Sequence, residues 1–189
     1  MDKEKILELC GDHNIFPVVG EIGWKMTDSL REKLLERSLK KQDDPFYLLF
    51  DTPGGSVRPA LQAYDFLKAT PVKTIAVVAG GCSSSGLVLL AGCEKRMSLS
   101  HSQFLFHAMN TEFNVRGTPD FEKIIQLHVE EHKKLYQKFE GIHLSEFKMK
   151  KETFDLLCLN GELINKKIDS SEAKNLGVIH EIITKFPFL

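Results

Sequence analysis

The residues best suited to chemistry lie together in Gly80-Gly81-Cys82-Ser83-Ser84-Ser85-Gly86, called the serine segment below. The apolar run Ile75–Ala79 before it predicts a buried strand, and Leu87–Ala91 after it predicts a buried helix. Small residues at such a joint allow a sharp turn that presents a serine at the edge of a sheet. Unpaired amides and the helix dipole there favour the negative charge that develops on an activated nucleophile, here Ser84. The alternative is a plain turn, since serine is a common N-cap.

A second glycine-rich stretch, Asp51-Thr52-Pro53-Gly54-Gly55-Ser56, follows the predicted strand Tyr47–Phe50 and precedes a predicted helix. Two adjacent glycines let backbone amides approach a ligand closely. The amide of Gly55 and the amide after the nucleophile could then form an oxyanion hole. A simple strand-to-helix turn is the alternative.

His107 directly follows the apolar run Phe104–Phe106, which predicts a short strand. Sites in α/β proteins form at the carboxyl ends of strands. The position makes His107 a candidate general base for Ser84, although a histidine at a strand end is often only a polar cap.

The elements that would position these residues alternate between strands and helices. Their apolar strands predict an α/β fold with a parallel sheet covered on both faces. The predicted strands are Ile15–Val19, Tyr47–Phe50, Val72–Val78, Met97–Leu99, Phe104–Phe106 and Val178–Ile183. The predicted helices are Asp28–Leu39 with Thr27 as N-cap, Val57–Ala69, the helix after Ser84 to about Gly92, Glu152–Cys158 and Ser170–Leu176.

A long amphipathic helix is predicted from about Thr118 to Gly141, with a proline in its first turn. Its apolar stripe consists of Phe121, Ile125, His128, His132, Leu135 and Phe139. A helix of roughly six turns is too long for a small sheet, so we expect it to project and to bury this stripe on a partner subunit.

The same helix contains His128-Val129-Glu130-Glu131-His132, which fits the inverted zinc-peptidase pattern H-x-x-E-H. Two histidines four residues apart share a helix face and could bind zinc, with Glu131 as base. So short a pattern arises by chance in a helix rich in His and Glu. We therefore predict no metal site.

Bulk properties narrow the class of protein. The 189 residues fit one domain, 1–189. The net charge of -1 gives no reason to expect nucleic acid or an anionic membrane as partner. We find neither an apolar run of the ~20 residues that span a bilayer nor a signal peptide after the charged start Met1–Lys5. Four widely separated cysteines, Cys10, Cys82, Cys93 and Cys158, indicate free thiols and a cytoplasmic protein.

Three motifs in this order and at these separations resemble the proteolytic subunit of the caseinolytic peptidase, ClpP. They are D-T-P-G-G-S-V, G-G-C-S-S-S-G-L-V-L-L-A-G and S-Q-F-L-F-H. The family has S-P-G-G-x, then G-x-A-A-S-M-G-x-x-L-L-x-A-G, then a strand ending in M-I-H-Q-P. The tail S-S-E-A-K-N-L-G-V-I-H is also similar, so the resemblance runs from Phe16 onward. It implies the spiral of ββα units shared by ClpP and crotonase proteins, with a protruding helical handle.

The resemblance implies roles for individual residues. Ser84 matches the nucleophile, His107 the base, and Gly55 with the amide of Ser85 the oxyanion hole. The long helix matches the handle that joins two heptameric rings in the family. The resemblance implies no metal and no organic cofactor.

The chain departs from the family pattern at three places. Asn165 falls where the family has its catalytic Asp; an Asn can orient a histidine but stabilises its charged form less well. Asp169, nearby in sequence, is the alternative. His107 lacks the Gln-Pro that follows the family's base, and Met1–Asn14 does not resemble the axial loop that meets an AAA+ unfoldase, which puts that partner in doubt.

The sequence thus predicts a serine endopeptidase that cleaves peptides or unfolded polypeptides inside a homo-oligomeric ring or double ring. One alternative is a catalytically weak or inactive ClpP-like structural or regulatory subunit, suggested by Asn165. Another is crotonase-like acyl-CoA chemistry, for which Arg58 is the only cation near Gly54 and Gly55 in the sequence.

Overall fold

Strands and helices alternate along most of the chain, as the sequence predicts. The computed structural model describes residues 14–109, 120–158 and 166–188. In chain order the elements are β1 Ile15–Val19, α1 Trp24–Leu39, β2 Phe46–Thr52, α2 Val57–Ala69, β3 Thr74–Ser83, α3 Ser85–Ala91, β4 Lys95–Leu99, β5 Gln103–Phe106, α4 Phe121–Glu146, α5 Lys151–Cys158, β6 Lys166–Asp169, α6 Ser170–Asn175 and β7 Glu181–Ile183.

The sheet is built around β3. Its strand order is β1-β2-β3-β4-β7, and every pairing along this path is parallel. β5 pairs with β3 in parallel, and β6 pairs with β5 in the antiparallel sense. The parallel α/β sheet confirms the predicted fold class. The strand β6 was absent from the sequence prediction, because its four residues, K-K-I-D, show no apolar alternation.

β3 changes partner along its length. Its residues Ile75–Val78 pair with β4, whereas Gly81–Ser83 pair with β5. β2 stays on the other side of β3 throughout, with a register shift between Phe50 and Thr52. The change of partner carries the end of β3, and the serine segment with it, onto the strand that precedes His107.

The short helix α3 after the serine segment is entirely buried. Burying a leucine side chain contributes about 1.5–3 kcal/mol, so its Leu87, Leu89 and Leu90, each 0% exposed, anchor the helix and the turn before it.

Cys82, Cys93 and Cys158 are buried free thiols; Cys10 lies outside the described residues.

The helix α4 corresponds to the predicted handle and is called the handle helix below. Its 26 residues span about 39 Å at 1.5 Å per residue. It continues to Glu146, and its expected start at Thr118 lies outside the described residues. Phe139 is 2% exposed and packs in the core, whereas Phe121 is 47% exposed. The carboxyl-terminal end of the helix is therefore fixed to the core, while its amino-terminal half is largely exposed.

The first helix begins earlier than predicted. α1 starts at Trp24 with Gly23 as N-cap, so the prediction of Thr27 as N-cap was wrong. The Thr27 hydroxyl instead donates back to the carbonyls of Gly23 and Trp24, at 3.2 and 3.1 Å. This back-bonding suits a threonine inside a first turn.

Within the described ranges, no helix is both long and apolar enough to cross a bilayer.

Candidate active site

Ser84 occupies a strained turn between β3 and α3. Its φ of 54° and ψ of -125° are unusual for a residue with a side chain, and such a conformation costs about 1–3 kcal/mol. The Ser84 amide donates to the carbonyl of Leu105 at 2.9 Å, and its carbonyl accepts from the Leu87 amide at 2.9 Å. Bonds on both sides hold the strain and keep the half-buried serine at the end of the strand.

The glycine loop 52–55 lies directly against this turn. Gly54 has a φ of +92°, and a Cβ built on it would lie 2.8 Å from the Ser84 Cβ. The Thr52 hydroxyl accepts from the Gly54 amide at 3.0 Å and donates to the carbonyl of Gly20 at 2.6 Å. Only glycine at position 54 permits so close an approach of the two segments.

Backbone hydrogen bonds hold the segment that carries Gly55, the first of the two predicted oxyanion donors. Ile22 donates to the Gly54 carbonyl at 2.8 Å and accepts from the Ser56 amide at 2.9 Å, which pins the chain on both sides of Gly55. Gly55 itself is exposed. Ser85 is the first residue of α3, so its amide has no acceptor within the helix.

His107 follows β5 at the predicted place. The parallel pairing of Ser83 with Leu105 brings the serine segment beside this strand. His107 Nδ1 lies 2.5 Å from the carbonyl oxygen of Ala108. Because a carbonyl only accepts, this contact favours the neutral tautomer with the proton on Nδ1, and in that tautomer Nε2 has the lone pair that a general base needs. Both His107 and Ser84 are described, and their side chains make no hydrogen bond to each other.

The predicted third member of a triad, Asn165, lies outside the described residues. The next residue, Lys166, pairs with Phe106, the neighbour of His107. Asp169, the alternative, is the N-cap of α6, and its carboxylate accepts from the Glu172 amide at 2.9 Å. Asp169 also pairs with Gln103, four residues before His107, which at 3.3 Å per residue is roughly 13 Å along the strand.

Two contacts of the candidate site, one at His107 and one at the serine segment, went unnoticed in the sequence. The Ala108 carbonyl leaves no trace in side-chain types and could not have been found. The contact of Asp51 could have been found, because Asp51 is an acidic residue at a strand end beside the glycine loop. Its carboxylate accepts from the Gly81 amide at 2.9 Å.

Burial raises the pKa of the Cys82 thiol well above its ordinary value, so this thiol is no rival nucleophile at neutral pH.

The cation near the glycine loop is already paired. Arg58 forms an ion pair with Glu131 of the handle helix, which leaves less positive charge for the phosphates of a CoA. Glu131 also belongs to the H-x-x-E-H pattern with His128 and His132. In the ranges that the structure describes, no group of three or more His, Cys, Asp or Glu side chains is arranged to hold a metal ion.

A family model described as "Clp protease" matches residues 3–186. The chain belongs to the Clp protease family. Proteases of this family are serine peptidases, as the resemblance in the motifs implies.

Curated relatives are similar at modest identity. The chain is 28% identical over 169 residues to "ATP-dependent Clp protease proteolytic subunit 2" of Prochlorococcus marinus (strain MIT 9312), covering 86% of this chain and 79% of that protein. It is 26% identical over 176 residues to "ATP-dependent Clp protease proteolytic subunit 3" of Parasynechococcus marenigrum (strain WH8102), covering 92% and 84%. A shorter match, 32% over 104 residues, covers 54% of this chain and 52% of a subunit 2 from strain MIT 9313 of Prochlorococcus marinus.

Proposed function

We propose that this chain is a serine endopeptidase with Ser84 as nucleophile and His107 as base. The observation that carries the proposal is the strained φ of 54° at Ser84, held by a hydrogen bond to the strand that leads into His107. Strain of this kind persists only where the surroundings enforce it, and it is concentrated at functional sites.

In the proposed reaction, His107 Nε2 takes the proton from the Ser84 hydroxyl as the oxygen attacks a peptide carbonyl. The amides of Gly55 and Ser85 donate to the oxyanion of the tetrahedral intermediate. His107 then gives its proton to the leaving amine, and water hydrolyses the acyl-enzyme. The serine and histidine side chains must approach each other first, and such contacts often tighten only when substrate binds.

The carbonyl of Ala108 supports the tautomer that this reaction needs. A backbone carbonyl on Nδ1 orients an imidazole in the way a carboxylate does, but without a full negative charge. Asn165 is covalently bonded to Lys166, whose partner Phe106 is bonded to His107. We propose Asn165 as an alternative acceptor for the Nδ1 proton, in place of the Ala108 carbonyl, with slower turnover than an aspartate would give.

A cleft lined by the two residues that follow His107 is a suitable place for a substrate side chain. It has a volume of about 480 Å³ and lies between the chain after His107 and the handle helix. Its lining includes Ala108, Met109, Tyr136, Gln137 and Glu140. This mixed polar and apolar surface suits peptides or unfolded polypeptides of varied sequence.

A ring assembly is part of the proposal. Phe121, Leu127 and Val129 of the handle helix are 47%, 58% and 38% exposed. Apolar side chains so exposed on one projecting helix suit burial against another copy, as in the rings of this family. The relatives' names include "ATP-dependent", which makes an ATPase of the unfoldase type a candidate partner. Native mass spectrometry of the purified chain tests the ring.

The second candidate function is an inactive subunit that serves structure or regulation. Two points favour it: the motif resemblance aligns Asn165 with the family's aspartate, with Asp169 as the alternative, and the Ser84 and His107 side chains do not hydrogen-bond to each other. This alternative predicts a folded, assembled protein that does not react with serine-directed reagents.

Labelling with a fluorophosphonate probe distinguishes the two functions, because the probe reacts only with an activated serine. We expect wild type to be labelled at Ser84, located by mass spectrometry, and Ser84→Ala to be unlabelled. Ser83→Ala is the matched control and should label normally. An assembled ring that stays unlabelled would support the inactive subunit.

A further inference from the structure

The carboxylate of Asp51 contacts the serine segment directly. One of its oxygens, Oδ1, accepts from the Gly81 amide at 2.9 Å. A Cβ built on Gly80 would lie 2.4 Å from the same oxygen. The missing side chain at Gly80 is therefore what allows the carboxylate to lie against the chain and reach Gly81.

This contact sits at an irregularity of the sheet. Where β2 advances from Phe50 to Thr52, β3 advances from Val78 to Cys82. β3 thus carries two extra residues, whose backbone groups cannot all continue the ladder and need other partners. The Asp51 carboxylate supplies an acceptor for one of these amides.

The same irregularity is where β3 changes partner. Up to Val78 it pairs with β4, and from Gly81 onward it pairs with β5. The Ser102 hydroxyl donates to the Val78 carbonyl at 2.7 Å on the β5 side. Asp51 and Ser102 therefore satisfy backbone groups on the two sides of the point where β3 departs from β4.

The pairing that begins at Gly81 determines where the nucleophile lies. It places Ser83 beside Leu105 and brings the Ser84 amide to the Leu105 carbonyl at 2.9 Å. Gly81 is only three residues before Ser84, so a slip of the chain at Gly81 would move the nucleophile relative to β5 and His107.

We propose that Asp51 is a positioning residue for Ser84. Its carboxylate holds the Gly81 amide and thereby keeps the end of β3 in the register that presents Ser84 to His107. This inference rests on the proposed function, acylation of Ser84. Asp51 is exposed at the end of β2, and it acts through the backbone.

The test compares Asp51→Ala and Asp51→Asn in time courses of fluorophosphonate labelling. We expect the rate constant to fall about tenfold or more in Asp51→Ala, because small misplacements of reacting groups are costly. Asp51→Asn retains an acceptor oxygen and should stay within about threefold of wild type. Asp65→Ala, which removes an exposed carboxylate from α2, is the control and should label normally. The fraction labelled at the end point should be the same in all four proteins.

Unchanged labelling in Asp51→Ala would overturn the inference. So would a lower labelled fraction at an unchanged rate constant, since that indicates only a loss of folded protein. Amide hydrogen exchange in peptides spanning 81–85 tests the positioning without any activity: it should be faster in Asp51→Ala and like wild type in Asp51→Asn. If wild type is not labelled, the proposed function fails, and exchange alone decides for or against the anchor at Gly81.

Discussion

The buried His143 should make the folded protein less stable at acidic pH. It lies on the handle helix near its junction with the core and is 0% exposed. The rings of Phe106, Phe139, Phe147 and Phe154 surround it, with centroids 4.2–5.8 Å away. Nδ1 lies 2.7 Å from the Phe139 carbonyl and donates to it, whereas Nε2 is buried without a partner among the described residues.

This burial lowers the pKa of His143 to about 4 from its ordinary 6.5; the bond to Phe139 opposes the shift only in part. The nearby carboxylates of Glu140 and Glu146 are paired with Lys151 and Lys68. Above pH 6.5 the imidazole is neutral in both folded and unfolded chains. As the pH falls from 6.5 to 4, the unfolded chain takes up a proton that the folded chain excludes, so stability is lost.

The size of the loss follows from the two pKa values. Each pKa unit corresponds to about 1.4 kcal/mol, so the full loss below pH 4 is about 3 kcal/mol. Between pH 7 and pH 5 the loss is about 2 kcal/mol. His143→Leu keeps a similar volume and abolishes this titration. When the pH is lowered from 7 to 5, the free energy of unfolding of this variant should therefore increase by about 2 kcal/mol relative to that of wild type.

Urea unfolding at pH 7, 6 and 5 measures this difference, at one protomer concentration because assembly makes stability depend on concentration. Phe139→Leu is the control, since it loosens the same aromatic cluster but retains the imidazole. Its stability should stay below that of wild type by a constant amount. If the curves of His143→Leu and wild type run parallel with pH, the reasoning from burial is refuted.

Three further predictions concern the glycine loop, the serine segment and the base of the handle helix. Gly54→Ala would place a methyl 2.8 Å from the Ser84 Cβ, so fluorophosphonate labelling of Ser84 should slow about tenfold or more. Gly23→Ala is the control and should label normally, because a Cβ at Gly23 meets nothing within 4 Å. Equal labelling rates in the two variants would contradict the close contact. The free energy of unfolding in urea should be about 1 kcal/mol larger for Ser84→Gly than for Ser84→Ala, because glycine accepts the positive φ. Equal values for the two variants would mean that the turn is unstrained. Arg96→Met removes a buried guanidinium that donates to the carbonyls of Glu146, Gly177 and Val178. The free energy of unfolding, measured with urea, should fall by about 3 kcal/mol. A fall no larger than that of the surface variant Arg31→Met would show that these bonds contribute little.

Local chemistry of the chain made much of the site predictable. Apolar runs marked the strands, and small residues between Ala79 and Leu87 marked the sharp turn at Ser84. The order of the motifs identified the family, because the glycine loop, the serine segment and His107 each follow a strand. These features depend on neighbouring residues alone, so a single sequence is enough to find them.

Some contacts were not foreseen, because a polar side chain has several possible partners nearby or because a strand's partner lies far away in the sequence. Thr27 has the side chain of an N-cap, but its hydroxyl bonds backward to Gly23 and Trp24. Asp169 lies near Asn165 in sequence, yet its carboxylate caps α6. β6 is a strand because the edge of β5 is available to it, a partner that K-K-I-D does not reveal.

What the sequence by itself determined is most of the helices and strands, the family and the identity of the candidate nucleophile and base. What only the tertiary structure decided is how they are held: Asp51 against Gly81, Gly54 against Ser84, and the Ala108 carbonyl on His107. Two of these contacts join residues about thirty positions apart, and the third depends on a ring orientation. The first two exist only once β2 and β3 lie side by side in the sheet, because that pairing brings the glycine loop and Asp51 against the serine segment.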